Sequence, residues 1–257
     1  MKSPEIPTPT ALIAPPEWSA IDLLSDLHLS PELPHTVARL RQHLAETPAS
    51  AVLLLGDIVE VWLGDDARHE GFEAEIAALL REAAAQRPLY YMIGNRDFLV
   101  GTEMLADCGM QALPDPTLLQ AFGQRVLLTH GDALCLADAD YQRFRAMVRN
   151  PEWQRQTLAR PLAERQALAR QLRGASQQKQ AMQETWSDLD AEACVEWLNA
   201  ADCKTLINGH THRPMVHELG EGRQRWVLSD WDFDGEQPRG DVLRLTAAGL
   251  QRIQLAA

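Results

Sequence analysis

The chain has 257 residues, 46% apolar composition and a formal net charge of −12. That length supports one large domain or a domain with a sizeable insertion, and the acidic balance argues against general nucleic-acid affinity. Four cysteines (Cys108, Cys135, Cys194, Cys203) show no CxxC spacing and no disulfide framework, as expected in a reducing compartment, and no apolar run approaches the roughly 20 residues of a bilayer span.

Residues 1–18 are Pro-rich with a single Lys and no apolar h-region, so they read as a loose arm rather than a secretory signal. Ala20 to Ser25 reads as a buried strand, followed at once by Asp26-Leu27-His28; alternation in an extended segment would put Asp26 and His28 on the same side. Val37, Leu40 and Leu44 form one stripe of a helix over Thr36–Glu46. A second strand, Ala51–Leu55, ends in Gly56-Asp57, an Ala-rich helix covers Phe72–Ala85, and a third strand, Leu89–Ile93, delivers Asn95. Thr117–Phe122 and Arg125–Thr129 read as a hairpin turning at Gly123-Gln124, with His130 after its second strand. From about Ala139 to Leu198 strand signal gives way to Ala, Gln, Arg and Leu interrupted by Pro151 and Pro161: a helical insertion, read as a lid. Cys203–Ile207 resumes the sheet, His210 and His212 follow, and Arg225–Leu228 and Val242–Leu245 complete it. The domain plan is therefore an arm over 1–18, a core over 19–138 and 199–257, and a lid over 139–198.

Five apolar runs stop at Asp, Asn or His, usually beside Gly. In a layered α/β fold this gathers polar side chains at one sheet edge. The set is Asp26, His28, Asp57, Asn95, His130, His210 and His212, with carboxylates, imidazoles and an amide but no thiolate, which suits Mn, Fe or Zn. Asp57 is read as the shared ligand of a two-metal centre, able to attract phosphate and activate water for in-line displacement at phosphorus. His35, His43, His69 and His217 are read as structural. Arg96 follows Asn95; it stays protonated and cannot serve as general acid, but it can grip phosphate oxygens. Phosphate leaving from an anhydride needs little protonation, which favours a pyrophosphate over an alkoxide-releasing ester. Nine basic residues against two acidic ones between Tyr141 and Gln180 suit an anionic substrate or an anionic membrane surface.

Asp26-Leu27-His28, Gly56-Asp57, Gly94-Asn95-Arg96-Asp97, His130-Gly131-Asp132 and Gly209-His210-Thr211-His212 resemble the motifs of calcineurin-like metallophosphoesterases. Longer stretches, Glu60-Val61-Trp62-Leu63-Gly64-Asp65-Asp66, Asp97-Phe98-Leu99, Ala133-Leu134-Cys135, Tyr141-Gln142-Arg143-Phe144-Arg145 and Arg213-Pro214, narrow the resemblance to the UDP-2,3-diacylglucosamine hydrolases, the pyrophosphatases of lipid A biosynthesis. The likeness runs from about Asp22 to Leu245. It implies an α/β fold, a layered metallophosphoesterase β-sandwich flanked by helices with a helical lid insertion. It also implies two Mn2+ ions, one on Asp26, His28, Asp57 and His212, the other on Asp57, Asn95, His130 and His210. The implied reaction is attack of water on the α-phosphorus of UDP-2,3-diacylglucosamine, giving UMP and 2,3-diacylglucosamine 1-phosphate (lipid X). Asp57, Asn95, Arg96 and His210 form the catalytic set, and Asn95, Arg96, Asp138, Tyr141, Ser176 and His210 match substrate-contacting positions. Past Ser176 the family carries Asn and then Lys where this chain has Gln180 and Gln183, with Lys179 the nearest lysine. Asp65, Asp97 and Asp132 are expected to orient ligands. A lipid substrate without a membrane span implies a peripheral protein on the cytoplasmic face of the inner membrane, with no nucleic acid and no obligate protein partner. The competing readings are a metallophosphoesterase for a soluble nucleotide pyrophosphate or phosphodiester, and a non-catalytic scaffold.

Overall fold

In a computed structural model of the protein, which describes residues 6–171 and 188–255, two six-stranded sheets stack face to face. The first runs β12 (Gly249–Gln254), β11 (Asp241–Thr246), β2 (Ala20–Leu24), β3 (Ala51–Leu55), β4 (Leu89–Met92), β5 (Gln111–Ala112); the second runs β1 (Thr10–Ile13), β6 (Thr117–Ala121), β7 (Gln124–Thr129), β8 (Thr205–Asn208), β10 (Arg223–Val227), β9 (Val216–Gly220). β2, β3 and β4 are parallel, as are β7 and β8, so all five deliver their carboxyl ends in common directions within each sheet.

The central strands are apolar at nearly every position because both faces are covered. Leu53 and Leu55 of β3, Tyr90 and Met92 of β4, Leu128 of β7 and Ile207 of β8 fill the space between the sheets. The alternate residues Val52, Leu54 and Tyr91 face α1 (Pro34–Glu46), α2 (Gly71–Ala84) and α3 (Thr102–Cys108), while Leu127 and Leu206 face the opposite helical layer.

Three expectations change. The arm is not loose throughout: Thr10–Ile13 pairs in parallel with β6, and Trp18 is buried against Tyr90. The hairpin turns at Phe122-Gly123, both at positive φ, rather than at Gly123-Gln124. The helical segment is also not uniform. α4 (Ala139–Val148), α5 (Pro151–Leu158) and α6 (162–171) are mostly polar and exposed. α7 (Ala191–Ala200), by contrast, buries Cys194, Trp197 and Leu198 against Leu127 and Leu206 and so belongs to the core layers. Its Ala-rich composition hides that difference.

One buried polar cluster ties the first sheet to its helices. Asp22 on β2 is fully buried and accepts hydrogen bonds from Arg244 (Nε 2.6 Å, Nη2 2.8 Å) and Thr47 Oγ1 (2.5 Å), with His43 Nε2 at 3.2 Å. Burial alone would raise its pKa, but the Arg244, His43 and Thr47 contacts outweigh it and bring the carboxyl to about 2. A folded pKa below the unfolded value contributes stability above the unfolded value, about 3.9, that is lost as pH falls through the folded one. Asp22→Asn is therefore expected to cost about 3 kcal/mol at pH 7, with the deficit shrinking toward pH 2, as read by urea unfolding at the two ends of that range.

Candidate metal centre

The seven candidate residues come together where the carboxyl ends of the two sheets meet. Asp26, Asp57 and Asn95 follow β2, β3 and β4, and His130, His210 and His212 follow β7 and β8. The loops after β2 and β3 continue as a ladder beyond the strands: Asp26 N donates to Gly56 O (3.1 Å), His28 N to Asp57 O (3.0 Å), Leu29 N to Ile58 O (3.0 Å) and Glu60 N to Leu29 O (3.0 Å). Within it Asp26, His28 and Asp57 have φ of 56°, 48° and 54°, and His210 and His212 have 69° and 52°. Asp26 and His28 thus reach the centre from left-handed backbone, not from the extended alternation read from the sequence. Eight described non-glycine residues have positive φ, and five of them are candidate ligands. Such conformations persist where the surroundings over-determine them, here at one spot.

Asp57 stands between two groups. Its Oδ2 lies 3.9 Å from His28 Nε2, which is 3.1 Å from His212 Nε2, itself 3.4 Å from Asp26 Oδ1. Its Oδ1 lies 3.7 Å from His130 Nε2 and accepts from Arg96 N (2.7 Å). Asn95 Oδ1 is shared by His130 Nε2 (2.9 Å) and His210 Nδ1 (2.7 Å). Gly94 is required for this closeness: a Cβ there would run into the Asp57 carboxylate and backbone nitrogen.

The imidazoles are aimed from behind. His130 Nδ1 is 2.9 Å from Leu55 O and His28 Nδ1 is 2.8 Å from Glu60 Oε2, so each turns Nε2 inward. Asp26 lies far below the usual carboxylate range: burial opposes this, but the bond to His212 and the nearby imidazoles prevail. Burial would lower His130, yet the carboxylates of Asp57, Asp26 and Asp132 hold it up to about 9. His210 is pushed down to about 4 by burial and by positive His130.

This donor set fits divalent cations. His28 and His212 bring their inward Nε2 atoms to 3.1 Å of each other, and the carboxylates of Asp57 and Asp26 converge on the same space. Among the described residues, Asp26, His28 and His212 form one group whose donor atoms lie within 4.8 Å of one another, and Asp26, Asp57 and His130 form another. Asp26 thus also approaches the second group.

The remaining candidates divide. Asp138 caps α4 by accepting from Tyr141 N (2.9 Å), and the Tyr141 ring lies 5.5 Å from that of His210 with its hydroxyl donating to Asp132 Oδ2 (2.9 Å). Ser176, Lys179, Gln180 and Gln183 lie outside the described residues. Asp97 accepts from Ile58 N (2.9 Å), Gly94 N (2.7 Å) and Tyr91 Oη (2.6 Å), binding the Asp57 and Asn95 loops to each other. Asp65 does not orient a ligand; it accepts from Gly101 N and Met104 N at the start of α3, both at 2.9 Å. The basic segment is partly engaged internally: Arg145 Nε donates to Asp132 (2.9 Å), Arg149 Nη2 to Gly94 O (2.9 Å), and Arg165 Nη1 to Asp66 (2.8 Å). Spacing alone did not single out Glu60 or Arg149, whose partners are distant in sequence.

The sequence profile of calcineurin-like phosphoesterases matches residues 20–214, spanning β2 through the last His of this centre. The chain belongs to that family. Full-length relatives named UDP-2,3-diacylglucosamine hydrolase include those of Chromobacterium violaceum (46% identical, covering 92% of this chain and 99% of that one) and Bordetella pertussis (46%, covering 91% and 94%). That of Ralstonia nicotianae is 42% identical, covering 94% and 95%.

The carboxylates that hold His130 up to about 9 favour its protonated form at neutral pH, so a metal ion that took this imidazole as a ligand would displace a proton. Mn2+ affinity is expected to rise about tenfold from pH 7 to pH 8, with proton release, in titration calorimetry; a pH-independent affinity would contradict this.

Proposed function

We propose that this phosphoesterase hydrolyses the pyrophosphate bond of UDP-2,3-diacylglucosamine by attack of water at the α-phosphorus, giving UMP and 2,3-diacylglucosamine 1-phosphate in lipid A biosynthesis. The observation that carries the substrate is 46% identity to a hydrolase of that name along 99% of its length.

Asp26, His28, Asp57 and His212 would hold one Mn2+ ion and Asp57, Asn95, His130 and His210 the other. Bound ions supply charge neutralisation at the phosphate and acidify water. The protein's own contribution is placement. Arg96 has its backbone fixed on Asp57 Oδ1 at 2.7 Å, leaving its guanidinium to take phosphate oxygens. It donates hydrogen bonds without giving up a proton, which suits a phosphate leaving group. His210, neutral at pH 7, faces the same space beneath Tyr141.

In this reading α4–α6 form a lid over the centre. Met147 and Leu158, exposed there, sit in helices that also carry exposed Arg143 and Arg155, suited to a lipid at an anionic surface. No helix among the described residues is long and apolar enough to cross a membrane. The protein would act peripherally on the cytoplasmic face of the inner membrane.

The test is Mn-dependent hydrolysis of UDP-2,3-diacylglucosamine beside bis(p-nitrophenyl) phosphate, following UMP. UMP release from the lipid with the diester nearly untouched is the expected result; diester hydrolysis alone would sink the lipid assignment. Arg96→Ala should lower kcat on the lipid by about 10²-fold while retaining its metal.

A further inference from the structure

We propose that Glu60 is a positioning residue that aligns His28 and Arg96, so that one carboxylate sets both a metal ligand and the phosphate-gripping guanidinium. The inference rests on the metal-dependent phosphoesterase reading above.

The geometry is built from the backbone. The ladder joining the loops after β2 and β3 ends with Glu60 N on Leu29 O at 3.0 Å, one residue past His28, so Glu60 is held alongside that imidazole. Its two oxygens go to different partners: Oε2 is 2.8 Å from His28 Nδ1, and Oε1 is 3.6 Å from Arg96 Nη1. The three side chains are only 15%, 18% and 21% exposed for Glu60, His28 and Arg96, so the charges are weakly screened.

Each contact removes a specific freedom. An acceptor at Nδ1 selects the tautomer of His28 that carries its proton there and keeps the Nε2 lone pair facing Asp57 and His212. The Arg96 backbone is already fixed by Asp57, so only its side chain remains to be directed. A guanidinium beside a cationic centre would be driven outward; the Glu60 charge opposes that.

The two tasks separate by substitution. Glu60→Gln keeps an oxygen to accept from His28 but loses the attraction for Arg96, whereas Glu60→Ala loses both. In Mn2+ titrations Glu60→Gln is expected to bind both ions within about threefold of the unaltered protein, and Glu60→Ala to bind one of the two about 10–100-fold more weakly. Thermal midpoints should stay within a few degrees of the unaltered protein. On the lipid, Glu60→Gln is expected to lower kcat/KM about tenfold in the Arg96 background and to add no loss in an Arg96→Ala background. Unchanged Mn2+ affinity in Glu60→Ala overturns the His28 half, and independent, multiplicative losses in the double variant overturn the Arg96 half. The Mn2+ titration needs no substrate, and inorganic phosphate binding to the Mn-loaded proteins can replace turnover in the cycle. A failure of the lipid assignment is therefore distinguishable from a failure of this one.

Discussion

The arrangement depends on one carboxylate. Asp57 is 1% exposed and has each oxygen turned to a different cluster: Oδ2 toward His28, His212 and Asp26, Oδ1 toward His130 and Arg96 N. Two sheets meet at that residue, and everything else at the centre answers to its position. Gly94 stays free of a side chain because the Asp57 carboxylate fills the space, and Asp97 binds the neighbouring backbone nitrogens of Ile58 and Gly94.

Holding side chains this way has a conformational cost. Five left-handed non-glycine residues cost on the order of 1–3 kcal/mol each, and charged groups are gathered away from water. What offsets it is the stack beneath: β2, β3, β4, β7 and β8 are buried on both faces, so their ends cannot drift without opening two layers of core. The loop ladder from Asp26 to Glu60 carries that rigidity past the strand ends to the reacting region.

Much of this was legible in the sequence for a physical reason. Doubly covered parallel strands must be apolar throughout, so each run ended visibly where a polar residue followed, and all seven candidates meet in space. Less legible were elements whose residues lack that signature. β1 sits among prolines with one face open, and β9 and β12 are half-exposed edge strands. α7 shares the Ala-rich composition of the lid yet packs on the second sheet. The left-handed turns at Asp26, His28 and Asp57 left no mark, because Asp and His carry no glycine-like signal. Contacts such as Glu60 with Arg96, or Arg149 with the Gly94 carbonyl, join segments that only the fold brings together.

The central proposal is that Asp57 would serve two metal ions as their common ligand. Low-temperature electron paramagnetic resonance of the protein loaded with two equivalents of Mn2+ reads this directly. An exchange-coupled pair is expected in the unaltered chain, and its loss in Asp57→Ala. Spectra of two magnetically isolated ions in the unaltered chain, or a coupled pair that survives Asp57→Ala, would contradict it.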